Sequence, residues 1–155
     1  MINQNGTLIE NDESKLSIFN RGFAYGDMVF ETIRVINGKI MFWEDHYFRL
    51  MASMRIMRME IPASFSPEFL EQQILDLITA NGLEKSPVRL KFSVFRKEGG
   101  LYTPATREID YLMSCSELED AFYLFNEETY EVELFKDHYI TSGLLSSIKS
   151  NNRAV

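Results

Sequence analysis

The sequence predicts an α+β fold in which an antiparallel sheet carries two helices. A turn pattern at Asn37-Gly38 separates two stretches rich in β-branched and apolar residues, which is typical of a β-hairpin. Residues 43–59 and 66–81 carry apolar side chains at helical spacing, whereas residues 88–94 alternate between apolar and polar. With 155 residues, of which 45% are hydrophobic and 25% charged, the chain is long enough to bury one globular core.

The predicted hairpin runs from Val29 to Ile36 and returns from Lys39 to Phe42. Asn37-Gly38 supplies two residues that tolerate a positive φ angle, as a two-residue hairpin turn requires. We therefore expect two paired antiparallel strands at this point.

Two amphipathic helices follow the hairpin. Between Trp43 and Met59 the apolar stripe is rich in methionine, which is typical of core packing. In the second helix Ser66 is a candidate N-cap, Pro67 suits the first turn, and Asn81-Gly82 stops the helix. The predicted buried faces are Tyr47, Leu50, Met51, Met54 and Met57 in the first helix, and Phe69, Leu70, Ile74, Leu77 and Ile78 in the second.

Two further strands are predicted after the helices. Val88 to Val94 reads as a half-buried strand, and Ile109 to Cys115 forms another after a loop that contains Gly99-Gly100. These elements complete a small α+β domain, which we place at residues 1–117.

The remainder of the chain predicts a change of domain. Residues 118–129 are acidic and form either a solvated connection or an interdomain linker. Alternation from Tyr130 to Leu134 starts a new strand, so we expect residues 130–155 to begin a second, β-rich domain. Because few residues follow, either this segment docks on the first domain or, as we prefer, the natural protein continues past Val155.

Composition and motifs exclude several classes of function. A net charge of −7 argues against a nucleic-acid partner. No apolar run reaches the ~18 residues of a membrane span, and the N-terminus lacks the features of a signal peptide. Together with the lone Cys115 this predicts a cytoplasmic location. His46 and His138 show no metal-ligand spacing, and no glycine-rich nucleotide motif is present, so we expect no metal.

Three stretches contain residues that could carry chemistry. In residues 21–32, two glycines with Tyr25 and Phe30 suit either the wall of a ligand site or a tight turn. Arg49, on the first helix, is either a surface charge or a partner for an anionic group. Lys149, among small polar residues, is either a surface lysine or an amine for Schiff-base chemistry.

The order and separations of these stretches resemble the fold-type IV pyridoxal-phosphate enzymes. That family includes the branched-chain and D-amino-acid aminotransferases and 4-amino-4-deoxychorismate lyase. The resemblance implies the small α+β domain of these enzymes, followed by the beginning of the large domain that binds pyridoxal 5'-phosphate. The matching segments are RGFAYGDMVFETIRVINGKI, EDHYFRLMAS, VRLKFSVFRKEGGLYTP and the terminal IKSNN.

The resemblance also implies roles for five residues. Lys149 matches the lysine that forms the internal aldimine with pyridoxal phosphate and, once freed, moves the substrate proton. Arg49 matches the arginine that binds the cofactor phosphate, to which a guanidinium fork is suited. Tyr25 and Phe30 match aromatic positions on the substrate side of the cofactor ring. Arg96 falls near the family's contacts to the substrate carboxylate.

The function implied by the resemblance is amino transfer between an amino acid and a 2-keto acid by a homodimeric enzyme. One alternative is 4-amino-4-deoxychorismate lyase, which uses the same cofactor and lysine but releases pyruvate. Another is a truncated non-catalytic domain that binds a partner or a second copy of itself.

Two positions depart from the family pattern. Met28 stands where the glycine-aromatic motif usually has its last glycine, and Ala154 stands where branched-chain enzymes typically carry a tyrosine. The run from Lys149 to Arg153 looks more like the D-amino-acid aminotransferase and lyase subgroups. If Val155 were the true end, the acidic partner of the pyridine nitrogen would be missing, and we would expect weak cofactor binding and negligible turnover.

Overall fold

The strands form one antiparallel sheet on which the longer helices pack. The computed structural model describes residues 1–123, 127, 129–134, 136, 139 and 142–151. Within these residues the sheet has six strands in the order β2-β1-β6-β5-β3-β4, which confirms the predicted α+β fold. The elements are β1 Ile2–Gln4, β2 Thr7–Ile9, α1 Arg21–Tyr25, β3 Met28–Ile36, β4 Lys39–Ile40, α2 Trp43–Ile56, α3 Pro67–Ala80, β5 Val88–Arg96, β6 Ile109–Glu117 and a 3-10 helix at Leu144–Ser147.

The core lies between the sheet and two helices. Helix α2 packs against β3, and α3 packs against β6 and β1. Leu50, Met51 and Met54 of α2 are at most 2% exposed, so the methionine-rich stripe belongs to the core as predicted. The predicted face of α3 is likewise buried at Leu70, Ile74, Leu77 and Ile78. None of the helices in the described chain combines the length and the apolar character that crossing a membrane requires.

The hairpin at Asn37-Gly38 is confirmed, but its second strand is shorter than predicted. The two turn residues have φ angles of 48° and 73°, and Val35 pairs with Ile40. The return strand ends at Ile40 rather than at Phe42, because Phe42 has a φ angle of 54° and turns the chain into α2. Strand β4 therefore covers only one end of the β3 edge and leaves residues 28–30 open to another segment.

Ser66 caps the N-terminus of α3, as predicted. Its hydroxyl accepts a hydrogen bond from the backbone N–H of Phe69 at 3.1 Å, and Pro67 occupies the first turn. The cap satisfies one of the N–H groups that a helix start leaves without an intrahelical partner.

Replacing this cap gives a first testable prediction. Ser66→Ala is expected to lower the free energy of unfolding by about 1 kcal/mol, because the N–H of Phe69 loses its acceptor. Urea denaturation measures the change, with Ser64→Ala in the exposed preceding loop as control. A cost no larger than that of Ser64→Ala would contradict the capping role.

Sequence periodicity does not predict the β1–β2 hairpin, the short helix α1 or the 3-10 helix at Leu144–Ser147. The hairpin turns at Asn5-Gly6, whose φ angles are 52° and 86°, and β1 then pairs with β6 through Asn3 and Met113. Strands β1 and β2 have three residues each, which is too short for alternation to be recognised. Their place in the sheet depends on pairing with β6, far away in the sequence.

Residues 130–134 do not form the predicted strand. They belong to no strand of the described sheet, and Val132 and Leu134 are 89% and 76% exposed. An alternating stretch becomes a strand only when a neighbouring backbone pairs with it, and none of the described strands does so here. The division of the chain after residue 117, where β6 ends, stays a prediction. His138 and Ala154 lie outside the described residues.

Candidate functional site

The segment from Ile148 to Asn151 fills the open part of the β3 edge. The backbone N–H of Phe30 donates to the carbonyl of Lys149, and the N–H of Asn151 donates to the carbonyl of Met28, both at 3.0 Å. The pairing is antiparallel, and Ile148 beside it is 2% exposed within the core. Backbone pairing and one buried side chain therefore fix Lys149 relative to β3, and this segment docks on the edge of the sheet.

Arg49 and Lys149 line the same open cavity, whose volume is about 480 Å³. Arg49 reaches the cavity from α2, and Lys149 reaches it from the segment on the β3 edge. Phe30 and Asn151 also line it, and no carboxylate is among its described lining residues. The fold thus brings together two cationic side chains and an aromatic ring that are far apart in the sequence.

Arg49 is held by a buried carboxylate. Glu31 of β3 is 1% exposed, and its two oxygens accept hydrogen bonds from Nε of Arg49 at 2.7 Å and from Nη2 at 2.5 Å. Nδ1 of His46 lies 2.8 Å from the same carboxylate. The hydrogen bond to Glu31 raises the pKa of Arg49 above its ordinary value, so the guanidinium is a permanent cation.

Two lysine ammonium groups lie close to the Phe30 ring. Nζ of Lys149 is 5.1 Å from the ring centroid, and Nζ of Lys91 is 5.2 Å from it. Contacts of this length are cation–π interactions. The ring of Phe30 is therefore in direct contact with Nζ of Lys149, the candidate Schiff-base amine.

The structure does not bring Tyr25 and Arg96 into this cavity. Tyr25 is 40% exposed and stacks on the guanidinium of Arg21, 4.6 Å from the ring centroid. Arg96 is 5% exposed and donates from Nε to Oδ2 of Asp27 at 2.9 Å and from Nη2 to the carbonyl of Met57 at 2.6 Å. These bonds occupy Arg96 in holding the fold and leave it away from a substrate carboxylate in this cavity.

Asp27 is the centre of a buried ion network that sequence patterns do not reveal. Its Oδ2 accepts a hydrogen bond from Nε of Arg21 at 3.0 Å in addition to the bond from Arg96. Nη1 of Arg21 donates to the carbonyl of Leu101 at 2.7 Å, which ties the loop after β5 to α1. The network links three segments of the chain near the start of β3.

The two glycines of residues 21–32 shape the turn before β3. Gly26 has a φ angle of 66° and ends α1, and a Cβ on Gly22 would lie 3.2 Å from the Cβ atoms of Met28 and Phe95. Neither glycine lines the cavity of Arg49 and Lys149. The geometry therefore favours the tight-turn interpretation of this stretch over a close approach to a ligand.

Among the residues that the structure describes, no three His, Cys, Asp or Glu side chains stand together in a way that could hold a metal ion.

Cys115 is half-buried, and burial raises the pKa of its thiol. A thiol of this kind is mostly protonated near neutral pH and is a poor nucleophile.

Comparisons with known proteins identify the family. The family model for amino-transferase class IV matches residues 28–154 of the chain. D-alanine aminotransferase of Bacillus licheniformis is 34% identical over 103 residues, which cover 66% of this chain and 31% of that protein. A protein described as a putative branched-chain-amino-acid aminotransferase of Methanocaldococcus jannaschii is 31% identical over 86 residues, covering 56% of this chain and 29% of that protein. The chain spans about a third of the length of these relatives.

Solved structures agree in fold. The T.th. branched-chain amino acid aminotransferase with pyridoxamine 5'-phosphate has a TM-score of 0.67 and 27% identity, covering 77% of this chain and 40% of that chain. The 4-amino-4-deoxychorismate lyase from Pseudomonas aeruginosa has a TM-score of 0.60 and 26% identity, covering 79% of this chain and 42% of that chain. Sequence motifs, family match and fold agree, and the chain belongs to the class IV aminotransferases.

Proposed function

We propose that the protein transfers an amino group between an amino acid and a 2-keto acid with pyridoxal 5'-phosphate as cofactor. The observation that carries this proposal is the shared cavity of Arg49 and Lys149. A phosphate-binding guanidinium and an amine within one cavity are what a phosphorylated aldehyde requires for binding and covalent attachment. The solved relative that contains pyridoxamine 5'-phosphate supports the choice of cofactor.

The residues of the cavity fit this cofactor. Arg49 is 48% exposed at its side chain, and its Nε and Nη2 bond to Glu31. Within the described residues Nη1 has no hydrogen-bond partner, so its two N–H groups are available to a phosphate. Lys149 would hold the cofactor aldehyde, and Phe30 offers an apolar wall beside it. When bound, the cofactor supplies a conjugated ring that takes up the electrons released when a bond at the substrate Cα breaks.

The residues of this chain then have separate tasks. Arg49 anchors the anionic end of the ligand and so sets the distance between that end and Lys149. Nζ of Lys149 takes up the proton that leaves the substrate Cα. Phe30 excludes water from the side of the cavity where its ring contacts Nζ of Lys149.

Other parts of the site are expected from outside the described cavity. No carboxylate is among its described lining residues, whereas the resemblance implies an acidic partner for the pyridine nitrogen. This chain spans about a third of the length of its curated relatives, so the rest of those sequences has room for such an acidic residue. We propose that this partner, further phosphate contacts and a second subunit complete the active site, and that the enzyme works as a homodimer in the cytoplasm.

A D-amino acid is the first donor to test, and a lyase reaction is the runner-up. Several of the relatives are D-alanine aminotransferases, which favours amino transfer, whereas the fold match to 4-amino-4-deoxychorismate lyase keeps the second reaction open. The run after Lys149 resembles both subgroups.

Keto-acid consumption distinguishes the two reactions. Incubation of the full-length protein with D-alanine and 2-oxoglutarate is expected to consume the keto acid, and branched-chain L-amino acids provide the comparison. Release of pyruvate from 4-amino-4-deoxychorismate with no consumption of keto acid would identify the lyase. Absence of cofactor binding, with indifference to Lys149→Ala, would instead support a non-catalytic domain.

A further inference from the structure

Glu31 is a buried charge in an otherwise apolar row. Strand β3 turns Val29, Glu31, Ile33 and Val35 to the core, and each of these residues is at most 1% exposed. A carboxylate removed from water in this way is unfavourable unless charged or polar partners compensate it. An apolar residue would stabilise the core more at this position, so the presence of a carboxylate indicates a role other than packing.

The partners of Glu31, His46 and Arg49, lie one turn apart on α2, and Arg49 lines the cavity of Lys149. Arg49 binds the carboxylate in a two-point contact, with Nε on one oxygen and Nη2 on the other. Such a fork fixes the plane of the guanidinium as well as its position. His46 contacts the same carboxylate through Nδ1 at 2.8 Å, which leaves Glu31 with partners on both oxygens.

This arrangement uses one edge of the guanidinium, Nε and Nη2, for the bond to Glu31 and leaves Nη1 on the other side. Nη1 has no hydrogen-bond partner in the described part of the chain. The arginine side chain is 48% exposed where it lines the cavity, although its carboxylate partner is 1% exposed. The buried charge therefore holds an exposed one in a fixed orientation.

We propose that Glu31 is a positioning residue that aims Arg49 at the phosphate of the ligand bound in the Lys149 cavity. The inference rests on the proposed function, because it takes Arg49 as the phosphate-binding residue. Glu31 itself does not line the cavity and acts only through Arg49. A guanidinium that is held before binding loses less side-chain entropy when the phosphate arrives.

The charge of Glu31 also has an electrostatic effect on phosphate binding, which is opposite in sign to the effect of positioning. A negative charge beside Arg49 also repels the phosphate and competes with it for the guanidinium. If competition dominated, removal of the charge would strengthen phosphate binding. If positioning dominates, Glu31→Gln, which keeps the shape but loses the charge and one acceptor, weakens it.

The test compares pyridoxal phosphate with pyridoxal, which lacks the phosphate. The dissociation constant of pyridoxal divided by that of pyridoxal phosphate, both measured on the full-length protein, isolates the contribution of the phosphate to binding. Glu31→Gln is expected to reduce this ratio by about tenfold, the scale of one charge-assisted hydrogen bond. Arg49→Lys should reduce it similarly, and the double variant should add little further loss, because both residues act as one unit.

Asn3→Ala is the matched control for a purely structural effect. Asn3 is as buried as Glu31 and hydrogen-bonded to Gln73, but lies on β1 away from the cavity. It should lower stability without changing the ratio. An unchanged or increased ratio in Glu31→Gln would overturn the positioning role and leave the proposed function standing. Equal affinity of the unmodified protein for both compounds would overturn the phosphate role of Arg49 and the inference with it.

A measurement on the unmodified protein covers the case in which Glu31→Gln fails to fold. The Nε–H resonance of Arg49 should exchange slowly with solvent, because it is bonded to a buried carboxylate. Positioning predicts that this resonance persists when pyridoxal phosphate is added. Its loss would show that the phosphate displaces Glu31, and the proposal would fail.

Discussion

Replacing Lys149 by alanine is expected to lower the rate of amino transfer by about a thousandfold or more. Under the proposed function, the variant loses both the amine that would attach the cofactor and the base that would move the substrate proton. It should also lose the absorbance band that appears when pyridoxal phosphate becomes bound to a lysine. Single-turnover kinetics and absorbance titration of the full-length protein measure the two effects separately.

Lys91→Ala is the matched control for this prediction. Its ammonium group lies 5.2 Å from the Phe30 ring centroid, close to the 5.1 Å of Lys149, but Lys91 does not line the cavity. The absorbance band should therefore survive in Lys91→Ala. A band of full strength in Lys149→Ala, or its loss only in Lys91→Ala, would contradict the assignment of Lys149.

Asp27→Ala is expected to destabilise the fold by about 3–5 kcal/mol. Arg21 and Arg96 are 2% and 5% exposed, and both donate to the carboxylate that this change removes. Two buried guanidinium groups would then lack their counter-charge, which costs far more than the pair contributes when intact. Urea denaturation followed by far-ultraviolet circular dichroism measures the loss.

Glu108→Ala separates this effect from the loss of an ordinary ion pair. Glu108 pairs with Lys97 at 2.9 Å, but the two side chains are 59% and 44% exposed. Exposed pairs contribute little to stability, so the urea midpoint should not change measurably. Equal effects of Asp27→Ala and Glu108→Ala would show that the buried network does not hold the fold.

Local rules were sufficient to predict much of the fold. The turn at Asn37-Gly38, the cap at Ser66 and the helical face that includes Met54 each depend on residues close together in the sequence. The order of the strands depends on pairings between distant segments, such as Asn3 with Met113, and no local pattern specifies them. Phe42 shows the same limit, since its apolar character fits a strand although its φ angle of 54° ends one.

The candidate site was predictable in part. Arg49 and Lys149 stand in recognisable motifs, and the fold brings them to one cavity. The partners that hold charges in place were not evident, because Glu31 meets Arg49, and Asp27 meets Arg96, only after the sheet has formed. The position of Arg96 near a glycine loop suggested a substrate contact; the structure places its buried bonds outside this cavity, and the substrate role stays a prediction.

The site assignment depends on one physical arrangement, in which Lys149 bonds the aldehyde of pyridoxal phosphate while Arg49 holds the phosphate. Borohydride reduction of the full-length protein with pyridoxal phosphate, followed by peptide mass mapping, tests it most directly. The expected result is a phosphopyridoxyl group on Lys149 at concentrations that leave other lysines unlabelled, with labelling reduced about tenfold in Arg49→Ala. Label spread over surface lysines, or labelling of Lys149 that is indifferent to Arg49→Ala, would contradict it.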